Sequence, residues 1–204
     1  MLRDRESNRS AIVLAGGRSS RMGRAKAALP LGESTLLEHI VKELGRYFGE
    51  IVIVTAPEPV QAPLAVPAAA RIVRDARAHE GPADALARGL DAVRADAAFA
   101  CSCDLPMLDA RVAAALLAML PGYDAVIPVV GDRLQPLYAA YRREVGGALR
   151  AMRARGENRL SAIADLVRTR KVDEPELRAL DPELRSFMNV NTPADYARAI
   201  RLIS

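Results

Sequence analysis

Residues 11–26 read AIVLAGGRSSRMGRAK, and this stretch decides the fold. Its first five residues are apolar and run into the glycine pair Gly16-Gly17, which predicts a strand followed by a loop. Glycines let backbone N–H groups approach phosphate oxygens closely, and four cations follow in the same loop: Arg18, Arg21, Arg24 and Lys26. The loop is neither a Walker loop, which needs Lys after Gly23, nor a G-x-G-x-x-G loop. It predicts a phosphate site of another kind, with an ordinary glycine-rich turn as the alternative.

Short apolar runs alternate with helical patterns in the first two thirds of the chain. A capping box at Thr35 and Glu38 marks the start of one helix. Strands apolar on both faces, alternating with helices, are typical of a mostly parallel α/β sheet, whose ligands lie beyond the carboxyl ends of the strands. The predicted strands are Ala11–Ala15, Ile51–Thr55, Arg71–Arg74, Ala97–Cys103 and Ala125–Val130, and the predicted helices lie near Leu36–Tyr47, Pro82–Arg94 and Arg111–Leu120.

The pattern becomes irregular after Val130. The run Leu134–Tyr141 contains Pro136, which favours an edge or bulged strand. A helix over Arg142–Arg155 should stop at Gly156. The last helix is predicted over Pro193–Arg201, with Thr192 as its cap and Asp195 three residues after the cap.

Two carboxylates follow predicted strands at the edge where a ligand would bind. Asp104 comes directly after Ala97–Cys103, where a Mg²⁺ ion on a triphosphate would lie, although a turn residue before Pro106 is the alternative. Asp75 follows Arg71–Arg74 and fits either a ligand contact or a loop. Together with Lys26 and Arg21, Asp104 suggests nucleotidyl transfer by positioning, metal and cations rather than through a covalent intermediate.

Length and composition limit the remaining possibilities. The chain has 204 residues, of which 50% are hydrophobic, so we expect one domain over residues 11–204 after a flexible N-terminus at 1–10. No apolar run approaches the roughly 18 residues of a membrane span, and we expect a cytoplasmic protein. Cys101 and Cys103 exclude a disulfide framework, and a zinc site would need the remote His39 and His79.

Charge is concentrated late in the chain. Residues 142–171 hold nine basic and three acidic residues, a balance of +6, whereas the whole chain carries +4. This segment is either a solvated helix face or a basic flank that attracts an anionic small molecule. Nucleic acid is disfavoured because aromatic residues make up only 4% of the chain and are not interleaved with the basic ones.

Several segments resemble a known family. The loop Leu14–Lys26 resembles the signature loop of nucleotidyltransferases with a Rossmann-like fold. Cys101–Pro106 and Asn189–Pro193 narrow the resemblance to the molybdenum cofactor guanylyltransferases, the MobA family. Gln135–Tyr138 and Gly156–Leu160 are similar to that family's acceptor-side segments. The resemblance implies a Rossmann-like three-layer α/β sandwich with a mostly parallel mixed sheet, of the nucleotide-diphospho-sugar transferase type.

The resemblance also implies an activity, the transfer of GMP from GTP to the phosphate of Mo-molybdopterin with Mg²⁺, releasing pyrophosphate. The implied catalytic residues are Arg21, Lys26 and Asp104, with Asp104 as the metal ligand. The implied nucleotide contacts are Leu14, Ala15, Gly16, Gly17, Lys26, Thr55, Asp75 and Asp104, and the implied acceptor contacts are Gln135, Asn189 and Asn191. No nucleic acid or membrane is implied, and transient contact with apo-molybdoenzymes or a GTP-binding helper protein is compatible with it.

Two positions depart from the family's pattern, and three rival functions stay open. Thr55 stands where some members carry Asn, and Asp84 adds a carboxylate beside the expected nucleotide position. A sister enzyme that uses CTP tends to carry Ala-Ala-Gly where this chain has Ala15-Gly16-Gly17, and an Asp-rich form of the late Asn motif, so Gly16, Asn189 and Asn191 favour guanine. The second rival is a different small-molecule nucleotidyltransferase of this fold, and the third is a non-catalytic nucleotide-binding module.

Overall fold

The computed structural model describes residues 9–16, 26–57, 66, 70–74 and 81–203. The strands are β1 (Ser10–Leu14), β2 (Pro30–Leu31), β3 (Ser34–Thr35), β4 (Glu50–Thr55), β5 (Ala70–Arg74), β6 (Ala97–Ser102), β7 (Ala125–Val130), β8 (Arg133–Leu134), β9 (Tyr138–Arg142) and β10 (Thr169–Val172). The α-helices are α1 (Leu36–Leu44), α2 (Pro82–Ala92), α3 (Ala110–Ala118), α4 (Val145–Ala154), α5 (Glu174–Leu180) and α6 (Pro193–Ile203). Short 3-10 turns lie at Lys26–Ala28, Leu160–Asp165 and Arg185–Phe187.

One mixed sheet organises these elements. Its strand order is β10-β7-β9-β6-β1-β4-β5, and β8 pairs with β7. The central strand β1 runs parallel to both neighbours, and Ile12 is level with Val52 of β4 and Ala100 of β6. Only β9 and the short β8 run antiparallel to their partners among the described strands of this sheet. The mostly parallel mixed α/β sheet predicted from the sequence is confirmed.

Helices cover both faces of the sheet. Alternate residues of β1 point to opposite sides, so Ala11 and Val13 join one apolar core while Ile12 and Leu14 join the other. The first core is closed by buried residues of α1 and α3, and the second by buried residues of α2 and α4. This is the three-layer sandwich that the resemblance implies.

A glycine sets the close approach of α2 to the central strand. A Cβ built on Gly89 would lie 2.6 Å from Cγ2 of Ile12, closer than real Cβ contacts occur. Any side chain at this position would therefore push α2 away from β1. Because α2 follows β5 in the chain, its N-terminus lies toward the carboxyl ends of the parallel strands.

The element boundaries confirm some predictions and correct others. The capping box at the start of α1 is confirmed, because Glu38 N donates to Thr35 Oγ1 at 3.2 Å and Thr35 N donates to Glu38 Oε2 at 2.7 Å. Ser10 does not belong to a flexible N-terminus: it begins β1, it is buried, and its Oγ donates to Glu50 Oε2 at 2.6 Å. The last helix begins at Pro193 as predicted and extends to Ile203.

The prediction of one edge or bulged strand over Leu134–Tyr141 is corrected: Leu134 ends the short β8, and Tyr138 begins the separate strand β9. β9 lies inside the sheet between β6 and β7, and Pro136 precedes it in a turn. Arg142 is the last residue of β9 and pairs with Ala97 of β6, so the following helix begins at Val145 rather than at Arg142. Within the described residues, no helix is long and apolar enough to cross a membrane.

Candidate active site

The carboxyl ends of the three central strands are joined by backbone hydrogen bonds. Cys103 N, just after β6, donates to Leu14 O at the end of β1 at 3.0 Å. Ala15 N, just after β1, donates to Val54 O of β4 at 2.8 Å. Leu14 and Ala15 are buried, so a ligand at this edge would meet mainly their backbone. The edge is therefore a fixed platform for the residues that follow each strand.

Asp104 is held on this platform from both sides. Its own carbonyl oxygen accepts from Val190 N at 2.8 Å, which ties it to the C-terminal segment. Its Oδ1 accepts a hydrogen bond from the hydroxyl of Ser102, the last residue of β6. Its Oδ2 lies 2.8 Å from Lys26 Nζ. The carboxylate is thus fixed with both oxygens engaged.

Lys26 lies between two oxygen acceptors from distant parts of the chain. Its Nζ donates to Asp104 Oδ2 at 2.8 Å and to Asn191 Oδ1 at 2.7 Å. An ammonium carries three N–H donors, and the described residues accept from two of them, so one remains for a ligand. Its side chain is 22% exposed, which leaves the ammonium accessible. The site therefore presents a positioned cation at the edge of the sheet.

Asn191 is supplied by the segment that leads into α6. The carboxylate of Asp195 accepts from Asn191 N at 3.0 Å and from Thr192 N at 2.8 Å. The side-chain hydrogen bond with Thr192, followed by the two backbone N–H groups, lowers the pKa of Asp195, and the Lys26 ammonium adds to the lowering. Asp195 is therefore a carboxylate at neutral pH and lies within electrostatic reach of Lys26.

A close backbone contact lies next to this cluster. A Cβ on Gly16 would be 3.1 Å from Ala56 N, so a larger residue would force the ends of β1 and β4 apart. The neighbouring Thr55 is 3% exposed, and its Oγ1 has no hydrogen-bond partner among the described residues. A buried hydroxyl without a partner is costly, which favours a ligand or water contact at this position.

The two cysteines beside Asp104 are not nucleophiles. Burial raises the pKa of Cys103 to about 12 and raises that of Cys101 well above its usual range. Since the thiolate is the reactive form, both thiols are inert near neutral pH. No group of three His, Cys, Asp or Glu side chains suited to a metal ion occurs within the described ranges.

Comparison with known proteins identifies the family. The model of the MobA-like NTP transferase domain matches residues 11–172. The chain belongs to this family. A protein of Pelotomaculum thermopropionicum named "Probable molybdenum cofactor guanylyltransferase" is 34% identical over 92% of this chain and 90% of that protein. One of Mycobacterium bovis with the same name is 35% identical over 90% of this chain and 89% of that protein.

Solved structures show the same fold. The crystal structure of molybdopterin-guanine dinucleotide biosynthesis protein A from Archaeoglobus fulgidus matches with a TM-score of 0.82 and 24% identity, over 95% of this chain and 98% of that chain. That of 2-C-methyl-D-erythritol 4-phosphate cytidylyltransferase from Thermus thermophilus matches with a TM-score of 0.69 and 18% identity, over 95% and 98%. The nucleotide-diphospho-sugar transferase type of fold is confirmed.

In this MobA-like protein, the structure joins only part of the predicted site. Lys26 contacts both Asp104 and Asn191. Asn189 instead makes a weak contact from Nδ2 to Phe187 O at 3.5 Å, and Gln135 Nε2 donates to Arg133 O at 3.2 Å. The turn after Gln135 still borders the site, because Leu137 O accepts from Ser102 N at 3.2 Å. Three predicted site residues lie outside the described residues: Gly17, Arg21 and Asp75.

The structure adds two residues that the sequence interpretation did not place in the site. Ser102 contacts the carboxylate of Asp104, and Asp195 contacts the backbone of Asn191. The signal for Ser102 was its position two residues before Asp104, within reach of a carboxylate in the turn that follows β6. Asp195 could be interpreted only as a helix-capping residue until the position of Asn191 was known.

Proposed function

We propose that this MobA-like protein transfers GMP from GTP to the terminal phosphate of Mo-molybdopterin, forming the guanine dinucleotide cofactor and pyrophosphate. The observation that carries the proposal is the Lys26 ammonium, held by Asp104 and Asn191 at the carboxyl edge of a nucleotidyltransferase sheet. The names of the relatives, at 34% and 35% identity over nearly the whole chain, support the same reaction.

The proposed chemistry is a direct displacement at phosphorus. A phosphate oxygen of the acceptor attacks the α-phosphorus of GTP, and the bond from that phosphorus to the oxygen bridging it to the β-phosphate breaks. Pyrophosphate leaves with the bonding electron pair. The ammonium of Lys26 would stabilise negative charge on the phosphates in a partly buried site, where a positioned charge acts more strongly than in water. The inert thiols of Cys101 and Cys103 accord with a reaction without a covalent enzyme intermediate.

The donor set at this edge fits a magnesium ion. Mg²⁺ prefers hard oxygen ligands, and the site offers a carboxylate from Asp104 and an amide oxygen from Asn191. Both oxygens already converge on one cation, the Lys26 ammonium, at 2.8 and 2.7 Å. We propose Asp104, with Asn191 beside it, as the group that would hold Mg²⁺. When bound, the ion would neutralise phosphate charge and withdraw electrons from the reacting phosphorus.

The two departures from the family pattern are compatible with nucleotide binding. Asp84 is directed to α4, where its Oδ2 lies 2.7 Å from Arg153 Nε, so its negative charge is paired. Thr55 keeps a hydroxyl where some members carry an amide, and its buried Oγ1 lacks a partner among the described residues. We propose that this hydroxyl makes the nucleotide contact expected at this position, which requires that binding open access to the buried oxygen.

A competition reaction tests the proposal. The protein is mixed with MgCl₂, Mo-molybdopterin and equal concentrations of GTP and CTP, and the dinucleotide product is identified by mass spectrometry. We expect the guanine dinucleotide, because a hydrogen-bonded base site discriminates strongly between bases. The cytosine dinucleotide would reassign the base pocket around Gly16 to CTP. No product with either nucleotide would contradict a role in forming either dinucleotide and favour another acceptor or a binding module.

A pair of aspartates at opposite ends of β6 provides the control. Asp104→Ala should abolish most of the product while the circular dichroism spectrum and melting temperature stay close to wild type. Asp96→Ala removes an exposed carboxylate at the amino end of the same strand, 3.6 Å from Arg143, and should leave turnover unchanged. A binding module would instead show no turnover in the wild type or in either variant.

A further inference from the structure

The start of α6 carries a carboxylate with two backbone donors. Asp195 Oδ2 accepts from Asn191 N at 3.0 Å and from Thr192 N at 2.8 Å, and Asp195 N donates to Thr192 Oγ1 at 3.2 Å. The last two bonds form the reciprocal pair of an ordinary capping box. The hydrogen bond from Asn191 N is additional, because Asn191 precedes the cap residue Thr192.

The capping box of α1 shows what is different at α6. There, the carboxylate of Glu38 binds the N–H and the hydroxyl of the cap residue Thr35, both within the box. At α6 the carboxylate also fixes Asn191, whose side-chain oxygen accepts from Lys26 Nζ at 2.7 Å. Asn191 itself is exposed, so the box supplies a constraint that packing does not. The additional bond links a helix cap to the cation of the site.

We propose that Asp195 is a positioning residue, which fixes the backbone of Asn191 so that the amide oxygen meets the Lys26 ammonium. The inference rests on the proposed nucleotidyl transfer, and it assigns Asp195 no contact with substrate. A partner that orients a contacting side chain is often worth roughly 10–100-fold in activity or metal affinity. Loss of the Asp195 carboxylate would leave Asn191 free to rotate away from Lys26.

Two variants of Asp195 separate geometry from charge. Asp195→Asn keeps an oxygen that can accept both backbone N–H groups but removes the negative charge near Lys26. Asp195→Ala removes the acceptor as well. We expect Asp195→Ala to lower kcat/KM by roughly tenfold, and Asp195→Asn to restore most of it. If the two variants were equally impaired, the carboxylate would act by charge and the positioning role would be wrong.

A double-mutant cycle tests whether Asp195 acts through Asn191. Residues that act as one unit are non-additive, so Asn191→Ala/Asp195→Ala should be no slower than Asn191→Ala alone. If the loss of kcat/KM in the double variant equalled the product of the losses in Asn191→Ala and Asp195→Ala, the proposal would be contradicted. The matched control is Asp173→Ala, which removes the carboxylate that caps α5 by accepting from Glu176 N at 3.1 Å. It should cost similar helix stability and leave kcat/KM unchanged.

Amide hydrogen exchange by NMR provides a readout without turnover. The N–H groups of Asn191 and Thr192 should be protected in the wild type and in Asp195→Asn, and exchange faster in Asp195→Ala. Unchanged exchange in Asp195→Ala would overturn the inference. A wild-type protein that uses CTP would be assayed through the same cycle with CTP. A wild type inactive with both nucleotides would refute the guanylyltransferase proposal. The exchange data would still test whether Asp195 fixes the backbone of Asn191.

Discussion

Two groups of cations in this molecule are held in different ways. Lys26 lies between oxygens of Asp104 and Asn191, which come from different parts of the chain. In the basic segment 142–171, seven of the nine cations instead pair one-to-one with carboxylates, and Arg142 Nε donates to Tyr123 O at 3.0 Å. The seven pairs are Arg143–Asp96, Arg150–Asp91, Arg153–Asp84, Arg159–Glu157, Arg168–Asp124, Arg170–Glu176 and Lys171–Asp165.

The difference shows which positive charge is available to a ligand. The net +6 of the segment suggested a basic flank for an anionic acceptor, but its acidic partners lie largely outside the segment in sequence and beside it in space. The structure therefore favours the solvated surface, on which these arginines tie neighbouring elements together. Lys26, by contrast, keeps an unused donor among the described residues.

Removal of the Lys26 ammonium should have the largest effect. Lys26→Ala is expected to lower kcat by about 10²–10³-fold, the usual cost of losing one preorganised charge donor at a reacting group. Pyrophosphate release in a coupled assay measures this rate. Because Asp104 is only 16% exposed and loses its cation, we also expect a modest loss of stability, and the rate is therefore measured well below the melting temperature of the variant.

The arginine variant refines that test. Lys26→Arg keeps the charge but replaces a compact ammonium with a planar fork, which cannot occupy the same point between two oxygens. We expect activity well below wild type although above Lys26→Ala. Full activity in Lys26→Arg would mean that charge alone suffices and that the two-oxygen geometry does not matter.

The pair between Arg153 and Asp84 should affect stability rather than catalysis. Both side chains are about one quarter exposed, at 27% and 24%. Arg153→Ala leaves a partly buried carboxylate without its guanidinium, and we expect a loss of about 1–2 kcal/mol in the free energy of unfolding. Urea denaturation measures this loss, and kcat should remain near that of the wild type.

An exchange of partners distinguishes the two kinds of cation directly. The double variant Asp84→Arg/Arg153→Asp rebuilds a pair across α2 and α4 and should recover part of the lost stability. The corresponding exchange Lys26→Asp/Asp104→Lys should recover no turnover, since the cation would then lie in the turn after β6 and no longer between Asp104 and Asn191. Recovery of activity by the Lys26→Asp/Asp104→Lys exchange would show that Lys26 is an ordinary exchangeable ion pair like Arg153 and Asp84.

The smallest effect is expected at the exposed pair of Arg168 and Asp124. The side-chain hydrogen bond from Arg168, at 3.1 and 2.9 Å, is the main reason that the pKa of Asp124 is lowered. A carboxylate whose pKa is lower in the folded protein than in the unfolded chain stabilises the fold. This stabilisation is fully present at a pH above the unfolded pKa, about 3.9, and is lost as the pH falls through the folded pKa. Arg168→Ala should raise the pKa of Asp124 without altering turnover.

A carbon-detected NMR titration of the Asp124 carboxyl follows this change. The rise should be partial, because Arg168 N also donates to Asp124 Oδ2 at 3.0 Å and the alanine variant keeps that bond. Wild type and variant should unfold alike below the folded pKa. A pKa of Asp124 that does not move in Arg168→Ala would show that the pair contributes nothing in solution.

Local signals in the sequence predicted the elements well, and distant pairing explains the errors. Thr35, Glu38 and Pro193 mark helix starts through contacts within a few residues, and these starts are confirmed. The interior place of β9 depends on its ladder with β6, a strand far earlier in the chain, which no local pattern encodes. Pro136 suggested an edge because proline cannot join a ladder, but the ladder begins two residues later, at Tyr138.

The site followed the same rule. Asp104 was predicted because it follows a strand end, and Lys26 because it belongs to the glycine-rich, cationic loop after the first strand; ligands of parallel sheets bind at that edge. Asn191 was predicted through the resemblance, and its contact with Lys26 is found. The dependence of that contact on Asp195 was not predictable, since it requires the position of the C-terminal segment relative to the sheet.

The separation of the Lys26 partners in the chain has a consequence for biosynthesis. Asp104 is made 78 residues after Lys26, and Asn191 is made 165 residues after it. A ribosome that has completed α4 has already released every strand of the central parallel group, so the hydrophobic cores can begin to close. The cation site has to wait until Asn191 has emerged as well, and Asn191 follows Lys26 by 165 residues. A nascent chain can therefore form the hydrophobic cores around its sheet long before the Lys26 site is complete.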